Sequence, residues 1–194
     1  MTSSATNNAI DIFPTSKSFS KIKTILDVPD LIDVRKEQDR ALHVVLLADD
    51  MHPANVVQDH INSIAELSVN VVTVLNPRLY DSPTVLDHSR IDALILHYSV
   101  FAISDDYLTR SWKVFLRDFD GIKVMIHEDE YQQVIRFREF MSYVGFHAVF
   151  SCLDSPETLE KVYGAPELAS TSFFSCLPGY IPDYLDGMVG RPQS

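Results

Sequence analysis

Six short, mainly apolar runs, each stopping abruptly at polar residues, constrain this chain more than any other feature. The first, Val44-Val45-Leu46-Leu47-Ala48, has no polar side chain for either face of an extended strand, so it must be covered on both sides. Val71–Leu75, Ala93–Leu96, Ile122–Ile126, His147–Phe150 and Thr171–Phe174 follow. Helical spacing fills most of the gaps. Val56, Val57, His60, Ile61, Ile64 and Leu67 make one buried face. Ser104 reads as an N-cap, with Asp105 and Asp106 in the first turn of a helix through Leu108, Trp112, Phe115 and Leu116 that stops at Phe119-Asp120-Gly121. Val134 to Met141 form another helix, closed by Gly145, and Ser155-Pro156 open a short one ending at Tyr163. Between the second and third runs a loop with Pro83 and a short turn leads to Asp92. This rhythm predicts a doubly wound α/β domain with a mainly parallel, Rossmann-like sheet.

The expected domain spans residues 41–180, preceded by a flexible tail and N-terminal arm over 1–40 and followed by a linker-like tail over 181–194. The arm carries Ile22, Ile25, Leu26, Leu31 and Ile32 at helical spacing, interrupted by Pro29. A chain of 194 residues with 46% hydrophobic and 22% charged residues buries an ordinary core without staples. The net charge of −11 argues against nucleic acid and anionic lipid as partners. No apolar run reaches the roughly 20 residues of a membrane span. No basic segment followed by an apolar stretch opens the chain, so a cytoplasmic protein is expected. Cys152 and Cys176 read as buried free thiols of a reducing compartment, too few to hold zinc alone.

In parallel sheets ligands bind beyond the carboxyl ends of the strands. Here the first run ends in Asp49, Asp50 and His52, the third in His97, Tyr98 and Ser99, and the fourth in His127, Glu128, Asp129, Glu130 and Tyr131. Histidine titrates near neutrality, and a carboxylate crowded by others rises toward it, so one crevice could gather acid–base groups. Other chemistries lack their signatures. The Asp49-Asp50 pair copies the acidic pair of a receiver domain, but the third run ends in His97 where the phosphorylated aspartate would stand. The first turn has no glycine for a pyrophosphate, and neither GxGxxG, a P-loop nor GxSxG occurs. HxH and HExxH are missing too, and no metal or other cofactor is expected.

Three stretches carry a resemblance: Asp92–Ser99 with its His-Tyr-Ser end, Phe119–Val124, and His127–Tyr131 with Asp129-Glu130-Tyr131. With Gly145-Phe146-His147 and Leu177–Pro182, they resemble the N-terminal domain of bacterial GT-B-type glycosyltransferases over roughly residues 43–185. The resemblance implies an acceptor-binding domain facing a second domain that binds a nucleotide sugar, with no metal required. It implies catalytic roles for His97, Asp129 and Glu130, and a glycan or other acceptor against Asp49, Asp50, His52, Tyr98, Ser99, His127, Glu128 and Tyr131. The chain ends at Ser194 near the expected linker, so the nucleotide sugar is expected through a missing C-terminal domain or a partner chain. Two rival readings are a non-catalytic Rossmann-like interaction module and a metal-dependent hydrolase at His52, His97 and His127.

Overall fold

The computed structural model describes residues 40–176. The expected N-terminal arm, the Leu177–Pro182 segment and the linker-like tail fall outside the described residues, save Arg40. Six strands, β1 (His43–Leu47), β2 (Val71–Leu75), β3 (Ala93–Leu96), β4 (Ile122–His127), β5 (Ala148–Ser151) and β6 (Ser172–Ser175), form one sheet in the order β2-β1-β3-β4-β5-β6. Every neighbouring pair is parallel. Four α-helices intervene: α1 (Asn55–Leu67), α2 (Arg110–Asp118), α3 (Val134–Val144) and α4 (Pro156–Tyr163). The chain is therefore a doubly wound α/β fold of Rossmann-like type, with its topological switch between β1 and β3. Among the described residues no helix is long and apolar enough to cross a membrane.

Side-chain alternation along the strands sorts the core into two layers. Val45, Leu47, Leu94, Leu96, Met125 and Val149 meet Trp112, Phe115 and Leu116 of α2, Phe140 and Met141 of α3, and Leu159 of α4. On the opposite face Leu46, Ala48, Val72, Val74 and Ile95 meet Val57, Ile61 and Ile64 of α1. One face thus carries three helices and the other carries one.

The helix expected from Ser104 begins six residues later. The Asp106 N–H does bond the Ser104 Oγ at 3.3 Å, but this caps an isolated turn that ends at Leu108. The reason is tertiary. The Thr109 hydroxyl donates to the Asp81 carbonyl at 2.9 Å, and the Trp112 indole N–H donates to the Tyr80 carbonyl at 2.8 Å. These bonds fasten α2 to the β2–β3 connection, which consists of three short 3-10 turns (Pro77–Leu79, Pro83–Val85, His88–Arg90). After α2 the chain turns tightly at Gly121, where a Cβ would lie 2.6 Å from the Asp92 carbonyl oxygen, so β4 can begin there only with glycine. Lys123, buried in β4, points its ammonium at the carbonyls of Arg117 (3.1 Å) and Val144 (2.8 Å), near the ends of α2 and α3. It supplies donors that helix C-termini lack.

Candidate functional site

Parallel pairing brings the tips of β1, β2 and β3 together, and Asp49 ties them. Only 3% exposed, it donates its N–H to the Ser99 Oγ at 2.8 Å. Its carboxylate accepts from the Asn76 amide at 2.9 Å, the Met51 N–H at 3.3 Å and the Arg78 guanidinium at 2.6 Å. Burial raises the Asp49 carboxyl, but the hydrogen bonds from Arg78, Asn76 and Met51 and the Arg78 charge together hold it below the usual carboxylate range. Asn76 also donates to the Asp50 carboxylate at 3.0 Å, and the Arg78 guanidinium lies 4.5 Å above the Tyr107 ring. Asp49 is thus a tie between strand tips, and the exposed polar residues beside it are Asp50 and the outer face of Arg78.

His97 lies wholly inside. Its Nδ1 accepts the Ser99 N–H at 3.1 Å and stands 2.9 Å from the Ser99 Oγ. A backbone N–H can only donate, so Nδ1 is unprotonated and the ring proton sits on Nε2. That proton is donated to Nδ1 of His60, 3.0 Å away on α1. Burial, then the neighbouring His60 and His52, push the His97 pKa down to about 3, so the ring is neutral. With both nitrogens engaged, His97 holds the β3 tip to α1. The His52 Nδ1 accepts the Ala54 N–H at 3.2 Å at the start of α1, where Ala54 has no capping side chain.

The tip of β4 is arranged differently. Glu130 is buried, and its Oε1 accepts the Ser151 hydroxyl at 2.6 Å and the Cys152 N–H at 2.7 Å, locking the loop to the end of β5. Glu128 and Asp129, by contrast, make no side-chain hydrogen bond to another described residue. Asp129 holds a left-handed backbone (φ 61°), a conformation that is sparsely populated without glycine and concentrates at working sites. Glu128 is half-buried, and burial, followed by the charges of Asp129 and Glu130, raises its carboxyl above the ordinary range. His127 packs its ring 4.3 Å from that of Phe137; burial pushes it down to about 4 against the opposing pull of Glu130 and Asp129.

A cavity of about 70 Å³ opens here, bordered by Tyr98, His127, Glu128, Asp129 and Gln132 over an apolar wall that includes Phe101 and Phe137. Tyr98 also borders a second cavity of about 220 Å³ with His60, Ile64, Ile126, Phe150, Cys152 and Cys176. Burial, then Glu128 and Cys152, push the Tyr98 hydroxyl up to about 12, so it stays a donor.

The structure therefore gathers Tyr98, His127, Glu128 and Asp129 around one opening. It sets Asp49, Asp50, His52 and Ser99 at the β1–β3 tips, buries His97 and Glu130 in tethering roles, and leaves Tyr131 79% exposed. Asn76, Arg78 and His60 belong to the same edge. The apolar run before Asn76 hinted at the first two, whereas His60 looked like one more residue of a buried helix face. A larger cavity, about 830 Å³, lies between Ser82, His88, Phe115 and Gly121 and touches none of these residues. No three His, Cys, Asp or Glu side chains among the described residues converge as metal ligands, His52, His97 and His127 included. Comparison of the chain with protein-family models, curated proteins and solved structures gave no match.

Proposed function

We propose that this chain is the acceptor-binding domain of a glycosyltransferase-like protein, working with a second domain or partner chain that supplies a nucleotide sugar. The observation that carries the reading is the β4 loop. A half-buried carboxylate raised by burial and like charge, Glu128, and a backbone-strained Asp129 share one cavity with the Tyr98 hydroxyl, at the carboxyl edge of a parallel sheet. In this reading Asp129 accepts hydrogen bonds from acceptor hydroxyls and Tyr98 donates one. Glu128 takes the proton of the attacking hydroxyl as its oxygen bonds the anomeric carbon and the sugar–diphosphate bond breaks. A carboxyl lifted toward neutrality suits a base better than an ordinary one. Glu130 and His97 act as positioning residues, because their polar atoms already hold the strand tips.

The test is calorimetric titration of the protein with a panel of mono- and oligosaccharides, without nucleotide sugar. One class of saccharide is expected to bind. Asp129→Ala should weaken it about tenfold, the worth of one hydrogen bond to a charged group. Glu128→Gln should leave binding nearly intact, yet abolish transfer once a donor domain is supplied. Failure of every saccharide to bind, or equal binding by Asp129→Ala, overturns the reading.

A further inference from the structure

The chain has only two cysteines, 24 positions apart in sequence, and the fold sets them on one cavity. Ser151 of β5 pairs with Ser175 of β6, and the Cys176 N–H donates to the Ser151 carbonyl at 2.8 Å, so the parallel ladder carries the next residues, Cys152 and Cys176, into register. Adjacent strands stand about 4.8 Å apart, inside the Cα separation of roughly 4.4–6.8 Å that a disulfide spans. Register partners in a parallel pair project to the same side. Both thiols accordingly border the same cavity of about 220 Å³, each half-buried.

We propose that Cys152 and Cys176 form a dithiol site that is oxidised to an intramolecular disulfide by low-molecular-weight disulfides. The two cysteines have unequal roles. Cys152 is held on the β4 loop: its N–H donates to Glu130 at 2.7 Å and its thiol to the His127 carbonyl at 3.6 Å. With its proton held by the His127 carbonyl Cys152 stays a thiol, and contact with Cys176, then burial, raises it further, whereas the contact with Cys152 lowers Cys176. The Cys176 thiolate therefore attacks a sulfur of the small disulfide, breaking its S–S bond and expelling one thiolate, which takes a proton. Cys152 then loses its proton to solvent, and its sulfur attacks the Cys176 sulfur and expels the second small thiolate, which is protonated in turn. The protein dithiol loses two electrons and two protons, and the small disulfide becomes two thiols. The new bond would join the carboxyl ends of β5 and β6.

The experiment equilibrates the whole protein with oxidised glutathione, alkylates the remaining thiols and measures intact mass, with peptide mapping of the product. Both thiols should disappear together in a monomer without bound glutathione, and one peptide pair should link Cys152 to Cys176. The Cys152→Ser variant should stop at a single glutathione adduct on Cys176, and Cys176→Ser should react more slowly. The folded chain should close its disulfide at least about tenfold more favourably than the same chain in denaturant, because the fold holds the pair together. Thiols that stay alkylatable, a persistent glutathione adduct on the unaltered protein, disulfide-linked dimers, or equal closure in denaturant would each overturn the proposal.

Discussion

Asp129 shows at the scale of one residue how stability and function pull apart. Its left-handed backbone (φ 61°) costs an L-residue about 1 kcal/mol relative to glycine. Asp129→Gly should therefore raise the unfolding free energy by up to about 1 kcal/mol, while removing the carboxylate should weaken acceptor binding. Urea unfolding and calorimetry on the same preparation read the two effects separately. Asp49 is the opposite case, because its buried carboxylate ties the β1 tip to Asn76 and Arg78 at the β2 tip. Asp49→Ala should cost about 2 kcal/mol in urea unfolding, since buried donors lose a charged acceptor. The buried histidines predict a pH dependence. His97 and His127 are held neutral in the folded protein, with pKa values of about 3 and about 4. The unfolded chain takes up those protons near the ordinary histidine value of about 6.5. Stability is thus full above that value and falls as the pH drops from it toward about 4, by up to about 1.4 kcal/mol per pH unit for each ring. His97→Asn should flatten this slope in urea unfolding performed across the window; an unchanged slope would show that the ring does not carry it.

Among the elements, the helices differ in how far their own sequence closes them. α4 carries its own start: the Thr158 N–H bonds the Ser155 Oγ at 3.2 Å, and Pro156 and Glu157 suit the first turn. α3 carries its own stop in Gly145 (φ 69°). α1 has neither cap, and relies on His52 and on Gln58, whose amide donates to the carbonyls of Asp50 and His52 at 2.9 Å. Two opposite outcomes follow. Ser155→Ala should lower stability by about 1 kcal/mol, and Ala54→Ser should raise it by about 0.5–1 kcal/mol, both read from thermal or urea unfolding. Cap residues at 155 and 145 were legible because a cap is a local contract between neighbours. Ser104 had the same local credentials, yet the long helix starts at Arg110, because Trp112 and Thr109 bond the carbonyls of Tyr80 and Asp81 far back in the chain. Local composition could not report a partner some 30 residues away.

At the scale of the whole molecule, the described residues form a parallel sheet with three helices on one face and one on the other, around Trp112, which is fully buried. It is the chain's only tryptophan, so its fluorescence reports loss of that layer directly. Trp112→Phe should be destabilising, since the Tyr80 carbonyl loses its donor and the smaller ring leaves a void. The amino-acid sequence alone determined the α/β class, the parallel direction of the strands and the polar strand tips, because burial on both faces and helical periodicity are properties of short segments. Only the tertiary structure decided the order β2-β1-β3-β4-β5-β6 and which tip residues are spent as ties. Asp49, His97 and Glu130 read like Glu128 and Asp129 along the chain. Pairing across the sheet supplied the first three with partners and left the last two at the opening, since hydrogen-bond satisfaction depends on neighbours that sequence distance does not encode.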